Sequence, residues 1–61
     1  MIAVSDIQYQ EDTNITTFVV TFTHEDYQQI HNAGSDGNLT EQQIIEMFSI
    51  EHDQWLERIN Q

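Results

Sequence analysis

NLTEQQIIEMFSIEHDQWLERINQ, spanning Asn38–Gln61, carries the clearest structural instruction in the chain. Thr40 has the chemistry of a helix N-cap, and Gln43 stands three residues on, where a capping box needs it. Leu39 before the cap and Ile44 after it complete a hydrophobic staple. At about 100° per residue, Ile44, Ile45, Phe48, Trp55, Leu56 and Ile59 gather on roughly a third of the circle. The stretch therefore predicts an amphipathic helix over about 41–60. Glu46, Asp53 and Glu57 cluster on the side away from that stripe, with Ile50 among them and Met47 on the flank.

The chain N-terminal to this helix must supply the surface that the stripe packs on. Ile15–Thr23 is rich in threonine, valine and phenylalanine, the types that suit a pleated surface. Residues 2–10 alternate imperfectly: Ile2 and Val4 share one parity, Ile7 and Tyr9 the other. Glu11–Asn14 between them has turn chemistry. A hairpin of strands at about 2–10 and 15–23 is the economical reading. With its turn centred on Asp12–Thr13, it puts Ile7, Tyr9, Phe18, Val20 and Phe22 on the face that meets the helices. Ile2, Val4, Ile15 and Val19 then fall on the opposite face, which is more apolar than solvent requires. A bulge near Ser5–Asp6 would flip the first strand. Otherwise a second copy or a partner covers this face, and that dimer or second interface is the expectation.

Thr23 resembles another N-cap, and Glu25 and Asp26 suit the positive end of a helix. Tyr27, Ile30 and Ala33 recur every third residue, His24, Gln28 and His31 point elsewhere, and Gly34 offers a stop. A short helix at about 24–33 follows. The predicted fold is α+β, an N-terminal hairpin packed on two helices in the order ββαα, in a single small domain covering residues 1–61.

Charge decides more than motif does. Eleven Asp and Glu residues face one cation, Arg58, for a formal charge of -10. Such self-repulsion costs stability, and its natural complement is a basic protein surface. Nucleic acid and anionic membrane demand basic partners and are poor direct ligands. Disorder is the other fate of high net charge, but 38% hydrophobic residues, six aromatics and no proline favour folding. A chain this short buries only about 60% of its unfolded surface. Without cysteine it has no disulfide to help, leaving packing or oligomerisation.

No cationic leader with a long apolar run precedes the first strand, and no stretch approaches the ~20 apolar residues of a membrane span. A cytoplasmic protein is the expectation. The triplets Asn14-Ile15-Thr16 and Asn38-Leu39-Thr40 are then chance matches to a glycosylation signal.

Catalytic and metal chemistry find little footing. Ser5, Ser35 and Ser49 lack nucleophile contexts, no phosphate-binding glycine loop is present, and so small a chain leaves little room for a water-excluding pocket. An enzyme is not expected, nor is a cofactor. His24 and His31, seven apart on a helix, would lie about 10 Å from one another along its axis, too far for one metal. Asp36-Gly37 can be laid on an EF-hand loop that starts at Asn32. Gly34 then leaves the third position without an oxygen side chain, and Gln43 leaves the twelfth without its bidentate carboxylate, so an ordinary turn is the better reading. His52 lies within the apolar stripe. A pH switch is one reading of it, and a partly buried ring with one hydrogen-bond partner is the plainer one.

In size, acidity and depletion of cations, the whole chain resembles small phage-encoded inhibitors of host nucleic-acid enzymes. Uracil-DNA glycosylase inhibitors, anti-restriction proteins and anti-CRISPR proteins are among these. The resemblance implies a non-enzymatic DNA mimic that occupies the basic nucleic-acid-binding surface of a host protein in the host cytoplasm, as a phage antagonist of host defence. Glu46, Asp53 and Glu57 would steer association, with Ile50 and Met47 as the apolar anchor. The alternative is an antitoxin, immunity-type or assembly module that uses the apolar hairpin face.

Overall fold

The run richest in β-branched and aromatic residues becomes the central strand. The computed structural model describes residues 1–60, which form β1 (Ile2–Gln10), β2 (Ile15–His24), β3 (Tyr27–Asp36) and α1 (Glu41–Ile59). The strands make one antiparallel sheet in the order β1-β2-β3. Helix α1 covers one face, and the class is α+β.

Strand β2 alternates strictly. Thr16, Phe18, Val20 and Phe22 are buried beneath α1, while Ile15, Thr17, Val19 and Thr21 line the outer face and are only partly covered. From α1, Ile44 and Trp55 complete the buried core, and Phe48, Leu56 and Ile59 pack against it. Phe48 meets Phe18 edge to face at 5.8 Å, and Trp55 lies 5.6 Å from Phe22. Each such apolar side chain removed from water contributes about 1.5–3 kcal/mol.

The expected second helix does not form. Residues 27–36 are β3, paired with β2 without interruption from His24↔Tyr27 to Ile15↔Asp36. Glu25 and Asp26, read as acids of a helical first turn, instead make a tight hairpin turn in which Glu25 takes φ 55. The three-residue spacing of Tyr27, Ile30 and Ala33 is no buried stripe: Tyr27 is 53% and Ile30 58% exposed. Gly34 lies inside the strand rather than ending a helix. The physical reason is tertiary. A strand as apolar as β2 leaves unpaired backbone on both sides, and a second neighbour satisfies it where local helix propensity would not.

The bulge raised as one option is present. Register slips between Ser5 and Gln8, and Asp6 adopts φ 54. One extra residue flips the strand. Ile2 and Val4 therefore pair with Phe22 and Val20 and pack against the core, while Ile7, expected there, is 38% exposed. The four residues expected to share an outer face are split: Ile2 and Val4 turn inward, Ile15 and Val19 outward.

Helix α1 starts as its sequence predicts. The Thr40 hydroxyl accepts from the Gln43 amide at 3.2 Å, and the Gln43 side chain accepts from the Thr40 amide at 2.9 Å. The connection from β3 is held by buried Thr16, whose hydroxyl donates to the Gly37 carbonyl and accepts from the Leu39 amide at 3.1 Å. No helix among the described residues is long and apolar enough to cross a membrane.

Candidate functional site

Ile50 projects from the middle of the outer face of α1, and 69% of it is exposed. The helix runs without a break through Ser49, whose hydroxyl donates to the Glu46 carbonyl at 2.9 Å. A kink there, which would have turned Ile50 into the core, is absent. Glu46, Asp53 and Glu57 are exposed on the same side, and Met47, 46% exposed, flanks Ile50. The carboxylates span about 16 Å along the axis, at one- and two-turn intervals. Five sequence-predicted residues thus share one continuous surface.

Little neutralises it. Among the described residues, the one contact between a carboxylate and a basic side chain is His24–Glu25, at 3.9 Å. Gln42 reaches Glu46 at 3.5 Å, a neutral contact. Arg58 sits in the last turn, where a cation offsets the negative end of the helix dipole. Asp53 and Glu57, four residues apart, repel by a few tenths of a kcal/mol. An apolar side chain ringed by desolvatable carboxylates can accept a basic surface with an apolar depression at its centre.

A second cluster was hidden from the sequence. His31, expected on the solvent side of a helix, pairs with Val20 on the inner face of the sheet. His31 and His52 each stand 5.0 Å from the Phe22 ring, one from β3 and one from α1. His52 also stacks on Trp55 at 6.1 Å. The Nε2 atoms of both imidazoles are buried without a hydrogen-bond partner. Burial, and then the positive N-terminus, lower the pKa of His52. The alternation His31, Ala33, Ser35 was the available signal, but it becomes readable only once β3 is known to be a strand. Among the described residues, no group of three or more His, Cys, Asp or Glu side chains is placed to hold a metal ion.

Among the described residues, no element packs on the outer sheet face. It carries an open depression of about 620 Å³ lined by Asp6, Gln8, Thr17, Val19, Asn32 and Gly34. Compared with protein-family models, curated proteins and solved structures, the chain matches none.

Proposed function

We propose that this chain is a non-enzymatic acidic inhibitor that docks the outer face of α1 onto the basic nucleic-acid-binding surface of a host protein, a DNA-mimic type of phage counter-defence. The observation that carries the reading is the exposure of Ile50 at the centre of a rigid helix face whose flanking carboxylates, Glu46, Asp53 and Glu57, have no cationic partner among the described residues. A capped helix fixes their spacing before binding, so little ordering entropy is lost on association. The carboxylates raise the encounter rate with a basic groove, and Ile50 slows escape once water is excluded.

Ile50→Asp tests the anchor. Partner binding should fall at least roughly tenfold, as expected for a central interface residue worth more than 1.4 kcal/mol. Melting temperature should stay unchanged because the side chain faces water. Loss of stability in place of binding would assign Ile50 to the fold.

A second reading draws support from the uncovered outer sheet face: an antitoxin, immunity-type or assembly module that binds through Val19, Ile15 and Ile30. Val19→Ala and Ile30→Ala would then abolish binding, while Glu46→Gln, Asp53→Gln and Glu57→Gln would not.

A further inference from the structure

Strand β3 is an edge strand without the usual defences. Natural sheets guard their edges with charges, prolines, bulges or a covering element. The opposite edge, β1, has one of these, the Asp6 bulge that interrupts its register. Strand β3 has a regular register along its whole length, no proline and, from Tyr27 to Ala33, no Asp, Glu, Lys or Arg. In a chain of net charge -10 that neutral strip stands out.

The direction of its backbone groups follows from the ladder. Thr23 exchanges hydrogen bonds with Met1 on the β1 side, at 2.8 and 2.7 Å. Antiparallel alternation then sends the groups of Thr16, Phe18, Val20 and Phe22 toward β3. Their partners Ser35, Ala33, His31 and Gln29 spend their own groups inward, and the Gly37 amide bonds Asn14 on the same side. Gln28, Ile30, Asn32 and Gly34 are left with N–H and C=O directed out of the sheet. Ile30, 58% exposed, stands in the middle of this row on the outer face.

We propose that this edge pairs antiparallel with the same edge of a second copy, joining two sheets into one of six strands. A register centred on Ile30 sets Ile30 against itself, Gln28 against Asn32 of the partner copy, and Tyr27 against Ala33 of the partner copy. No carboxylate meets another within that span. Two chains of charge -10 repel least along a strip that carries none of the charge, which is why a second copy fits this edge. Residues from β2 and α1 are not used, so the outer faces of both helices stay available and the dimer presents two acidic surfaces. The inference stands independently of the reading of α1, because it concerns the purified chain alone.

Sedimentation equilibrium on the full chain should show the mass rising from 7.2 kDa to twice that value with concentration. Screening the mutual repulsion should tighten the dimer as salt increases from about 0.1 to 1 M. Amide exchange at Ile30 and Asn32 should slow by roughly tenfold or more as dimer forms, since these N–H groups are free in the monomer. Asn32→Pro removes an amide that β2 does not use, and Ile30→Lys places like charges opposite each other. Either substitution should leave a folded monomer by circular dichroism. A wild-type chain that stays monomeric at millimolar concentration in high salt would overturn the proposal. So would a dimer in which the Ile30 and Asn32 amides exchange freely, or one that survives Ile30→Lys.

Discussion

Replacing Thr16 by valine tests whether one buried hydroxyl couples the sheet to the helix. Thr16 is fully buried at the inner end of β2. Valine preserves its shape and its β-branching, so no cavity opens and strand propensity is kept. What disappears is a clasp: the hydroxyl that donates to the Gly37 carbonyl and accepts from the Leu39 amide. Each lost bond removes a net ~1 kcal/mol, and a polar group left unpaired away from water costs about 1–3 kcal/mol. Gly37 and Leu39 are partly covered, so water recovers some of this and the expected total is about 2–3 kcal/mol. For a domain of this size, each kcal/mol moves the melting temperature by about 4–8 °C. Urea denaturation should show the midpoint falling with an unchanged slope. Amide exchange should accelerate most at Leu39 and in the first turn of α1. A loss below about 0.5 kcal/mol, the usual range for surface substitutions, would refute the clasp. Destabilisation with Leu39 exchange unaltered would refute it equally.

Three further outcomes follow from particular residues. Glu25 holds φ 55 in the β2–β3 turn, a left-handed conformation costing a non-glycine residue about 1–2 kcal/mol, so Glu25→Gly should raise the denaturation midpoint despite glycine's greater unfolded entropy. Asp6 holds φ 54 in the bulge, and Asp6→Val should destabilise by at least about 1 kcal/mol, read by thermal melts, because a β-branched residue tolerates that region worst. For His52 the folded-state pKa lies below the ordinary 6.5, so between those values the unfolded chain binds the proton and the folded chain does not. Its contribution is therefore intact above about pH 6.5 and is lost as pH falls through the depressed value. Nearby Met1, Asp53 and His24 set the local field. Stability measured against pH should lose part of its decline over this window in His52→Leu, and an unchanged profile would show that the imidazole is not responsible.

Much of this architecture can be read without coordinates, and the exceptions have physical causes. Helix α1 was legible because its signals agree at every level: Thr40 and Gln43 cap it, the apolar stripe faces one way, and Ile50 falls opposite. The first two strands were legible from composition, and the parity switch between Val4 and Ile7 already posed the bulge as an option. Strand β3 was not legible. Its glutamines, histidine and asparagine have no strong strand preference, and Glu25-Asp26 lacks the glycine or asparagine that usually announces a two-residue turn. What makes it a strand is the unpaired side of β2, a demand set by tertiary structure. The same error hid the two imidazoles around Phe22, since His31 turns inward only once β3 exists. The acidic surface on α1 was legible because helical geometry alone places Glu46, Asp53 and Glu57 together.

The most direct test of the proposed role is to immobilise the wild-type chain and a Glu46→Gln, Asp53→Gln, Glu57→Gln variant, then compare what each retains from a bacterial lysate. The account predicts that the wild type selects nucleic-acid-binding proteins that duplex DNA displaces. Retention should weaken sharply between about 0.1 and 1 M salt, as the screening length shrinks from roughly 10 to 3 Å. The triple variant should lose them. Retention indifferent to salt, to competing DNA and to the three substitutions would contradict inhibition through the acidic face of α1.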